Sequence, residues 1–197
     1  MRLIGLTGNS GAGKSLVAKR LIELGIPVVD ADHAAARVLS PKTAVYEQFI
    51  ECFGKDYLQK SGEVDRKKLS ELIFADEERR AALNALTHPA IIRDVFAVLK
   101  NLETDGATMA VVDAALLFES GLAKKMYLVL AVIAEPALEL RRIMQRDNIS
   151  EQAAAARISS QLSNKELVAR ADAVIINNGS MDELFAAVDD FVCKIKP

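Results

Sequence analysis

A run of eight residues near the amino end of the chain has the composition and spacing of a phosphate-binding loop. The run matches the pattern GxxxxGK[ST] in full and consists of Gly8, Asn9, Ser10, Gly11, Ala12, Gly13, Lys14 and Ser15. Glycines let the backbone curl until several N–H groups point at one anion, and the lysine reaches the β- and γ-phosphate oxygens. The Ser15 hydroxyl is expected to ligate the Mg²⁺ that bridges those phosphates. The run therefore predicts a nucleoside triphosphate site, with Lys14 as a catalytic residue.

Three carboxylates follow apolar runs further along the chain. Asp30 and Asp32 come directly after Val28-Val29, and Asp113 follows the apolar residues 109–112. Because the carboxyl ends of neighbouring parallel strands meet at the ligand crevice of an α/β sheet, we expect these acids to lie near the terminal phosphate. One acid of the first pair can hold Mg²⁺ through its waters, the other can accept the proton of an attacking hydroxyl, and Asp113 can support the metal. Each acid could instead cap a helix or end a strand.

The phosphate loop is shared by kinases, switch GTPases and motor ATPases, so other residues must decide the class. A GTPase would ordinarily carry a DxxG segment and an NKxD segment that reads guanine. The sequence contains no DxxG, and residues 164–167, Asn-Lys-Glu-Leu, lack the final aspartate. The acids favour a kinase that phosphorylates a small-molecule hydroxyl. A nucleotide-responsive binding module is the alternative from another class.

Alternating strands and helices must position these groups. Apolar runs predict strands over residues 2–7, 28–29, 109–112, 127–134 and 173–176, with helices over 14–24 and 181–195. The runs are continuous rather than alternating, which indicates parallel strands covered on both faces. We therefore expect an α/β protein with a P-loop NTPase fold and a five-stranded parallel sheet flanked by helices. A single kinase domain is predicted over residues 1–197.

Two helical stretches are predicted in addition to the elements that flank the sheet. Residues 34–105 are read as a helical insertion, and residues 136–162 as an arginine-rich helical segment with a break at Asn148. Arg142 and Arg146 lie four residues apart, so they share a helix face and can bind phosphate oxygens when such a lid closes. Ion pairs with Glu139 or Asp147 on a solvated face are the alternative for these arginines.

Composition limits the partners and the location. The 197 residues include 25 Lys and Arg against 27 Asp and Glu, which gives a net charge of −2 and no large field for nucleic acid or an anionic membrane. The sequence shows no secretory signal and no uninterrupted apolar stretch of about 20 residues, so we predict a cytoplasmic protein. No obligate protein partner is evident. Cys52 and Cys193 are predicted to be free thiols in the core.

A series of short motifs extends over nearly the full chain. The series comprises Leu6-Thr7-Gly8 with the phosphate loop, Val29-Asp30-Ala31-Asp32 followed by Ala36-Arg37, His88-Pro89, Leu116-Leu117-Phe118-Glu119, Arg142 with Arg146-Asp147, Arg157-Ile158 with Gln161, and Ala171-Asp172 with Asn177 and Gly179. In this series the chain resembles the dephospho-coenzyme A kinases. The phosphate loop is widely shared, whereas the DAD, HP, LLFE and RD elements together are specific to that family.

The resemblance implies that ATP phosphorylates the 3′-hydroxyl of the ribose in dephospho-coenzyme A, the last step of coenzyme A synthesis. It implies that Asp32 is the general base and contacts the acceptor, and that Arg37, His88 and Phe118 help to hold the acceptor. It also adds Asn177 to the nucleotide-binding residues. Residues 34–105 would form the acceptor-binding wall, and residues 136–162 the mobile lid.

The remaining cofactor prediction is Mg²⁺, with Ser15, Asp30 and Asp113 as its ligands. The chain departs from the family pattern at Asn9-Ser10, where Gly-Ile is common, at Leu16, where Thr is common, and at Ala115, where Pro is common. Another small-molecule P-loop kinase, acting on a nucleoside, a nucleotide, shikimate or gluconate, is the nearest alternative. It would use the same phosphate loop with a different acceptor wall.

Overall fold

The computed structural model describes residues 1–195, apart from the side chains of residues 36, 74 and 75. Residues 196–197 of the predicted domain lie outside this description, as does the Ala36 side chain of the Ala36-Arg37 motif. The strands are β1 (Arg2–Gly8), β2 (Val28–Asp30), β3 (Met109–Asp113), β4 (Leu128–Ile133) and β5 (Ala173–Ile176). The helices are α1 (Lys14–Glu23), α2 (Ala31–Val38), α3 (Ala44–Phe53), α4 (Arg66–Ala75), α5 (Glu77–Thr104), α6 (Pro136–Asp147), α7 (Glu151–Ser159), α8 (Asn164–Arg170) and α9 (Met181–Ile195).

Within residues 1–195, the strands form one five-stranded parallel sheet in the order β2-β3-β1-β4-β5. The central strand β1 pairs with β3 on one side and β4 on the other, so that Leu6 lies opposite both Asp113 and Leu130. All five residues of β3 are buried, as expected for a strand covered on both faces. The predicted fold class is confirmed. Because the chain crosses to the other side of β1 between β3 and β4, the ligand crevice is expected at the carboxyl end of β1.

The first of two compact units comprises residues 1–29 and 102–197, of which residues 1–29 and 102–195 are described. Its core is built from the apolar residues of the central strands and from the buried faces of α1 and α9, which include Val17, Leu21, Val188 and Phe191. At the surface, Arg20 of α1 binds the Asp189 carboxylate of α9 through two hydrogen bonds of 2.8 and 2.7 Å. This packing anchors α1, the helix that follows the phosphate loop, to the sheet.

The second unit is Asp30–Asn101, and it has its own apolar core. Phe49 and Phe53 lie one turn apart on α3 and stack with ring centroids 5.0 Å apart. They belong to a buried cluster with Val64, Leu69 and Leu83. This unit overlaps the predicted helical insertion, residues 34–105, and begins four residues earlier, at Asp30, the last residue of β2.

Two further findings concern α5 and the cysteines. Among residues 1–195, α5 is the one helix whose length and apolar composition would suffice to cross a membrane, and core helices of soluble proteins share both properties. Both cysteines of the described chain are free thiols, as predicted, but Cys52 and Cys193 are exposed. Their predicted core position is wrong, because Cys52 lies on the exposed side of α3 and Cys193 on that of α9.

Candidate functional site

The phosphate loop connects β1 to α1 at the predicted ligand edge of the sheet. Gly11 and Gly13 have φ angles of 83° and 99°, which residues with a Cβ rarely adopt. A Cβ atom on Gly11 would also lie 2.6 Å from the Glu139 carbonyl oxygen, so α6 leaves no room for a side chain there. Gly11 is therefore required both by the turn and by the close approach of α6.

Lys14 and Asp113 form an ion pair at this edge. Lys14 begins α1, and Asp113 ends β3, the strand next to β1. The two side chains are only 15% and 12% exposed, so their charges are weakly screened by solvent. The structure thus brings together two of the predicted site residues. The pairing holds the ammonium group beside the loop whose backbone N–H groups are expected to bind phosphate.

Two arginines of the predicted lid contact the phosphate loop. Arg142 Nη1 donates a hydrogen bond of 3.2 Å to the Gly11 carbonyl, and Arg146 Nη2 donates one of 3.1 Å to Ser10 Oγ. Arg142 and Arg146 both lie on α6, and both contact the loop from the shared helix face that their four-residue spacing predicts. The guanidinium groups are therefore next to the loop that would hold the triphosphate.

Asp147 fixes the orientation of Arg146 and pairs with a second arginine, Arg157. Its carboxylate accepts hydrogen bonds of 2.7 and 2.9 Å from Arg146 and also pairs with Arg157 of α7. The hydrogen bonds from Arg146 are the main cause that lowers the pKa of Asp147 to about 2, with Arg157 adding to the effect. The ion pair with Asp147 that the sequence left open is present, and it coexists with the contact between Arg146 and Ser10.

Asn177 follows β5 and is buried beneath the loop. Its Nδ2 donates a hydrogen bond of 2.8 Å to the Ala12 carbonyl, and a Cβ atom on Gly13 would clash with the same amide. The predicted nucleotide-binding residue Asn177 thus supports the backbone of the loop in this structure.

Two side chains that contact the loop were missed by the motif-based site prediction. Gln161 Oε1 accepts a hydrogen bond of 3.0 Å from the Ser10 N–H. Asn164, the first residue of α8, accepts one of 3.2 Å from Asn9 Nδ2. Gln161 had a signal in the family-like motif Arg157-Ile158 with Gln161, whereas nothing local in the sequence indicates the role of Asn164.

The predicted acceptor-side residues Asp32, Arg37 and His88 belong to the second unit. Asp32 lies in the first turn of α2 and lines a groove of about 480 Å³ formed by residues of this unit. Arg37 is in the last turn of the same helix and is exposed. His88 is half-buried on α5, and burial lowers its pKa, so its imidazole is neutral near pH 7. Only Asp32 of these three lines the groove.

Two other predicted site residues, Asp30 and Phe118, make contacts with neighbouring protein groups. Asp30 is the N-cap of α2, where its Oδ1 accepts a hydrogen bond of 2.8 Å from the His33 N–H. This is the capping alternative that the sequence allowed. Phe118, in the first unit, lies with its ring centroid 5.9 Å from the guanidinium carbon of Arg170 on α8.

Ser15 and Asp113 offer oxygen ligands for a metal ion in the first unit. Ser15 is exposed in the first turn of α1, and Asp113 lies at the carboxyl end of β3. In the described part of the chain, no three or more His, Cys, Asp and Glu side chains are grouped to hold a metal ion. A magnesium ion in a nucleotide site takes one or two protein oxygens and completes its shell with phosphates and water. The donor set therefore fits Mg²⁺ and does not fit an all-protein metal cage.

Three features together define a P-loop phosphotransferase. They are the parallel sheet, the glycine-rich loop with its lysine, and the helical segment whose arginines contact that loop. A solved structure shares the fold: a shikimate kinase from Acinetobacter baumannii superimposes with a TM-score of 0.53 at 17% identity, over 100% of this chain and 95% of that one.

Comparison of sequences narrows the class to one family. Residues 2–183 match the family model described as dephospho-CoA kinase. The chain is 44% identical over 180 residues to the dephospho-CoA kinase of Geobacillus kaustophilus, covering 91% of this chain and 90% of that protein. The solved dephospho-CoA kinase from Campylobacter jejuni has a TM-score of 0.72 and 29% identity, over 99% of this chain and 98% of that one. The chain belongs to the dephospho-CoA kinase family and is a phosphotransferase that uses ATP on an alcohol acceptor.

Proposed function

We propose that this chain transfers the γ-phosphate of ATP to the ribose 3′-hydroxyl of dephospho-coenzyme A, giving coenzyme A and ADP. In this reaction Lys14 and the backbone of residues 8–15 hold the triphosphate, and Asp32 accepts the proton of the attacking hydroxyl. Phosphoryl transfer depends on positioning and on charge stabilisation rather than on covalent chemistry of the protein. The residues therefore act by binding, orienting and deprotonating.

The observation that supports this proposal most strongly is the Lys14–Asp113 pair beside the phosphate loop. Asp113 restricts the position of the Lys14 ammonium group before the nucleotide arrives. When a triphosphate binds, its β- and γ-oxygens offer Lys14 a larger negative charge than one carboxylate. Lys14 then stabilises the charge that develops on the transferred phosphoryl group.

Ser15, Asp113 and Asp30 are the proposed ligands of Mg²⁺, directly or through water. The metal would neutralise charge on the β- and γ-phosphates. Asp113 is the best placed of the carboxylates in the first unit because it ends the strand beside β1. Asp30 has one oxygen engaged by the His33 N–H, so it would contribute through its other oxygen or through a bound water.

The acceptor is proposed to bind along the groove of the second unit that Asp32 lines. The same groove is bordered by apolar side chains such as Leu39 and Leu69 and by the cationic side chains of Arg66 and Lys67. The carboxylates of Glu63 and Asp65 also line the groove, and its apolar and cationic groups match the apolar and phosphorylated parts of the acceptor. Arg37, His88 and Phe118 remain the predicted residues that help to hold the acceptor, and the neutral state of His88 suits a hydrogen-bonding role.

Residues 136–162 are proposed to act as a lid over ATP. Arg142 and Arg146 already contact the loop at Gly11 and Ser10, and they can exchange these contacts for phosphate oxygens.

Three further statements are predictions from the sequence. They are the acceptor-binding insertion at residues 34–105, the cytoplasmic location and the absence of an obligate protein partner. The two substrates are small molecules, and the proposed reaction needs no nucleic acid and no membrane.

Product analysis tests the proposed function. Purified protein with MgATP and dephospho-coenzyme A should give a product heavier by one phosphoryl group, and phosphorus–proton coupling in its NMR spectrum should locate the phosphate at the ribose 3′ position. Adenosine monophosphate, shikimate and gluconate serve as competing acceptors in the same assay. Phosphorylation of one of these acceptors without reaction of dephospho-coenzyme A would show that the acceptor assignment is wrong.

A further inference from the structure

The proposed reaction gives no role to the most deeply buried carboxyl group of the described chain. Glu139 lies in the first turn of α6, and only 1% of its surface is exposed. Its Oε1 accepts a hydrogen bond of 3.2 Å from the Ala134 N–H. Burial raises the pKa of Glu139, which means that a charged carboxylate is costly at this position.

A chain of hydrogen bonds connects Glu139 to the phosphate loop. Asn164 Nδ2 donates 2.7 Å to the Ala134 carbonyl, so Glu139 and Asn164 bind the two polar groups of the same residue at the end of β4. Asn164 Oδ1 in turn accepts from Asn9 Nδ2 at 3.2 Å, and Asn9 Nδ2 also donates 2.9 Å to the Leu162 carbonyl. The amide of Asn164 therefore both donates and accepts a hydrogen bond in this network.

Glu139 also contacts the loop through its own backbone. A Cβ atom placed on Gly11 would lie 2.6 Å from the carbonyl oxygen of Glu139 and 2.8 Å from its Cα atom. A shift of α6 at Glu139 would therefore displace Gly11, and a shift of Asn164 would release Asn9. Both loop residues lie in the segment whose N–H groups are expected to face the triphosphate.

We propose that Glu139 and Asn164 are positioning residues that hold Asn9 and Gly11 in the ATP-binding conformation of the phosphate loop. The inference rests on the proposed function only in taking ATP as the ligand of this loop. Glu139 acts as a hydrogen-bond acceptor for the Ala134 N–H, and its negative charge is not needed. Asn164 passes this restraint from the end of β4 to Asn9.

Three substitutions separate the acceptor role from the charge and from a general loss of stability. Glu139→Gln keeps an acceptor oxygen and removes the charge, Glu139→Ala removes the acceptor, and Asn164→Ala removes the link to Asn9. Gln145→Ala is the matched control, because Gln145 is an exposed residue of the same helix α6. The measurements are the Kd for ATP by calorimetry and the KM and kcat for both substrates.

The expected result is a selective loss of ATP affinity. Glu139→Ala and Asn164→Ala should raise the Kd and KM for ATP by roughly 3- to 10-fold, the range for one lost hydrogen bond, with the KM for dephospho-coenzyme A changed less than about twofold. Glu139→Gln and Gln145→Ala should bind ATP within about twofold of the unmodified protein. Equal KM effects on both substrates, or a loss in Glu139→Gln as large as in Glu139→Ala, would overturn the proposal.

A double-substitution cycle gives a second test that does not depend on Glu139→Ala folding. If Asn164 acts through Asn9, Asn164→Ala should have little further effect on the Kd for ATP once Asn9→Ala is present. Fully additive effects would contradict the inference. Calorimetry needs no acceptor, so wild-type protein that binds ATP without phosphorylating dephospho-coenzyme A would refute the proposed function while leaving this test intact.

Discussion

The close approach of α6 to the phosphate loop makes Gly11 more restrictive than a turn glycine alone. Gly11 and Gly25 have nearly equal φ angles, 83° and 80°. A Cβ atom on Gly11 would meet the Glu139 backbone at 2.6 Å, whereas a Cβ atom on Gly25 would have no atom within 4 Å. Gly11→Ala and Gly25→Ala therefore share the cost of the left-handed backbone, and only Gly11→Ala adds the clash.

The magnitudes follow from these two contributions. The left-handed conformation costs a residue with a Cβ about 1–2 kcal/mol, so this is the expected loss in unfolding free energy for Gly25→Ala. Crowding in a packed site adds about 1–3 kcal/mol, so Gly11→Ala should lose roughly 2–5 kcal/mol in total. The clash involves backbone atoms of Glu139, which cannot move aside as a flexible side chain can. Part of the strain should therefore appear as a displaced phosphate loop.

Urea unfolding and ATP calorimetry on both variants provide the assay. Gly11→Ala should lose more unfolding free energy than Gly25→Ala and should bind ATP at least about tenfold more weakly, a loss near 1.4 kcal/mol. Gly25→Ala should keep the ATP affinity of the unmodified protein within about twofold. Equal stability losses together with equal ATP affinities would refute the claim that α6 confines the loop at Gly11.

Three further predictions concern single side chains. Lys14→Met should lower kcat by about 10²–10³-fold in steady-state assays, as for the removal of one group that stabilises transition-state charge, and an unchanged kcat would remove Lys14 from the mechanism. Arg146→Lys should raise the KM for ATP about tenfold, because a lysine cannot make the two-point contact with Asp147 and also reach Ser10; an unaltered KM would contradict the lid assignment. Burial lowers the pKa of His88, so the unfolded state binds a proton more readily and the free energy of unfolding should fall as the pH drops below about 6.5. His88→Asn should reduce this pH dependence, measured by urea unfolding at pH 7.5 and 5.5. An equal pH dependence in the variant and the unmodified protein would contradict the prediction.

The sheet and the phosphate loop could be predicted because their signals are local. Continuous apolar runs located all of the strands of the described sheet. Strands β1, β2 and β3 are one residue longer than predicted, β4 is one residue shorter at each end, and β5 has the predicted bounds. The break in the lid was also predictable, since Asn148 adopts the left-handed conformation that ends α6, and Ser150 caps α7 by accepting a hydrogen bond from Ala153.

Other features depend on contacts between distant segments. Helix α8 was not predicted, because seven residues show too little apolar periodicity, although Ser163 and Glu166 form a capping box that signals its start. Glu139 reads as a surface charge on an arginine-rich helix. Its burial arises only when α6 packs on the loop. The link from Asn164 to Asn9 spans 155 residues and has no local signal.

The central claim is that the loop residues bind ATP while Asp32 activates the acceptor. Asp32→Asn tests it most directly, because an amide keeps the shape of the side chain but is not a useful base. The account predicts that Asp32→Asn binds ATP with unchanged affinity in calorimetry and loses about 10²–10⁴-fold in kcat with dephospho-coenzyme A. Turnover equal to that of the unmodified protein would contradict the account.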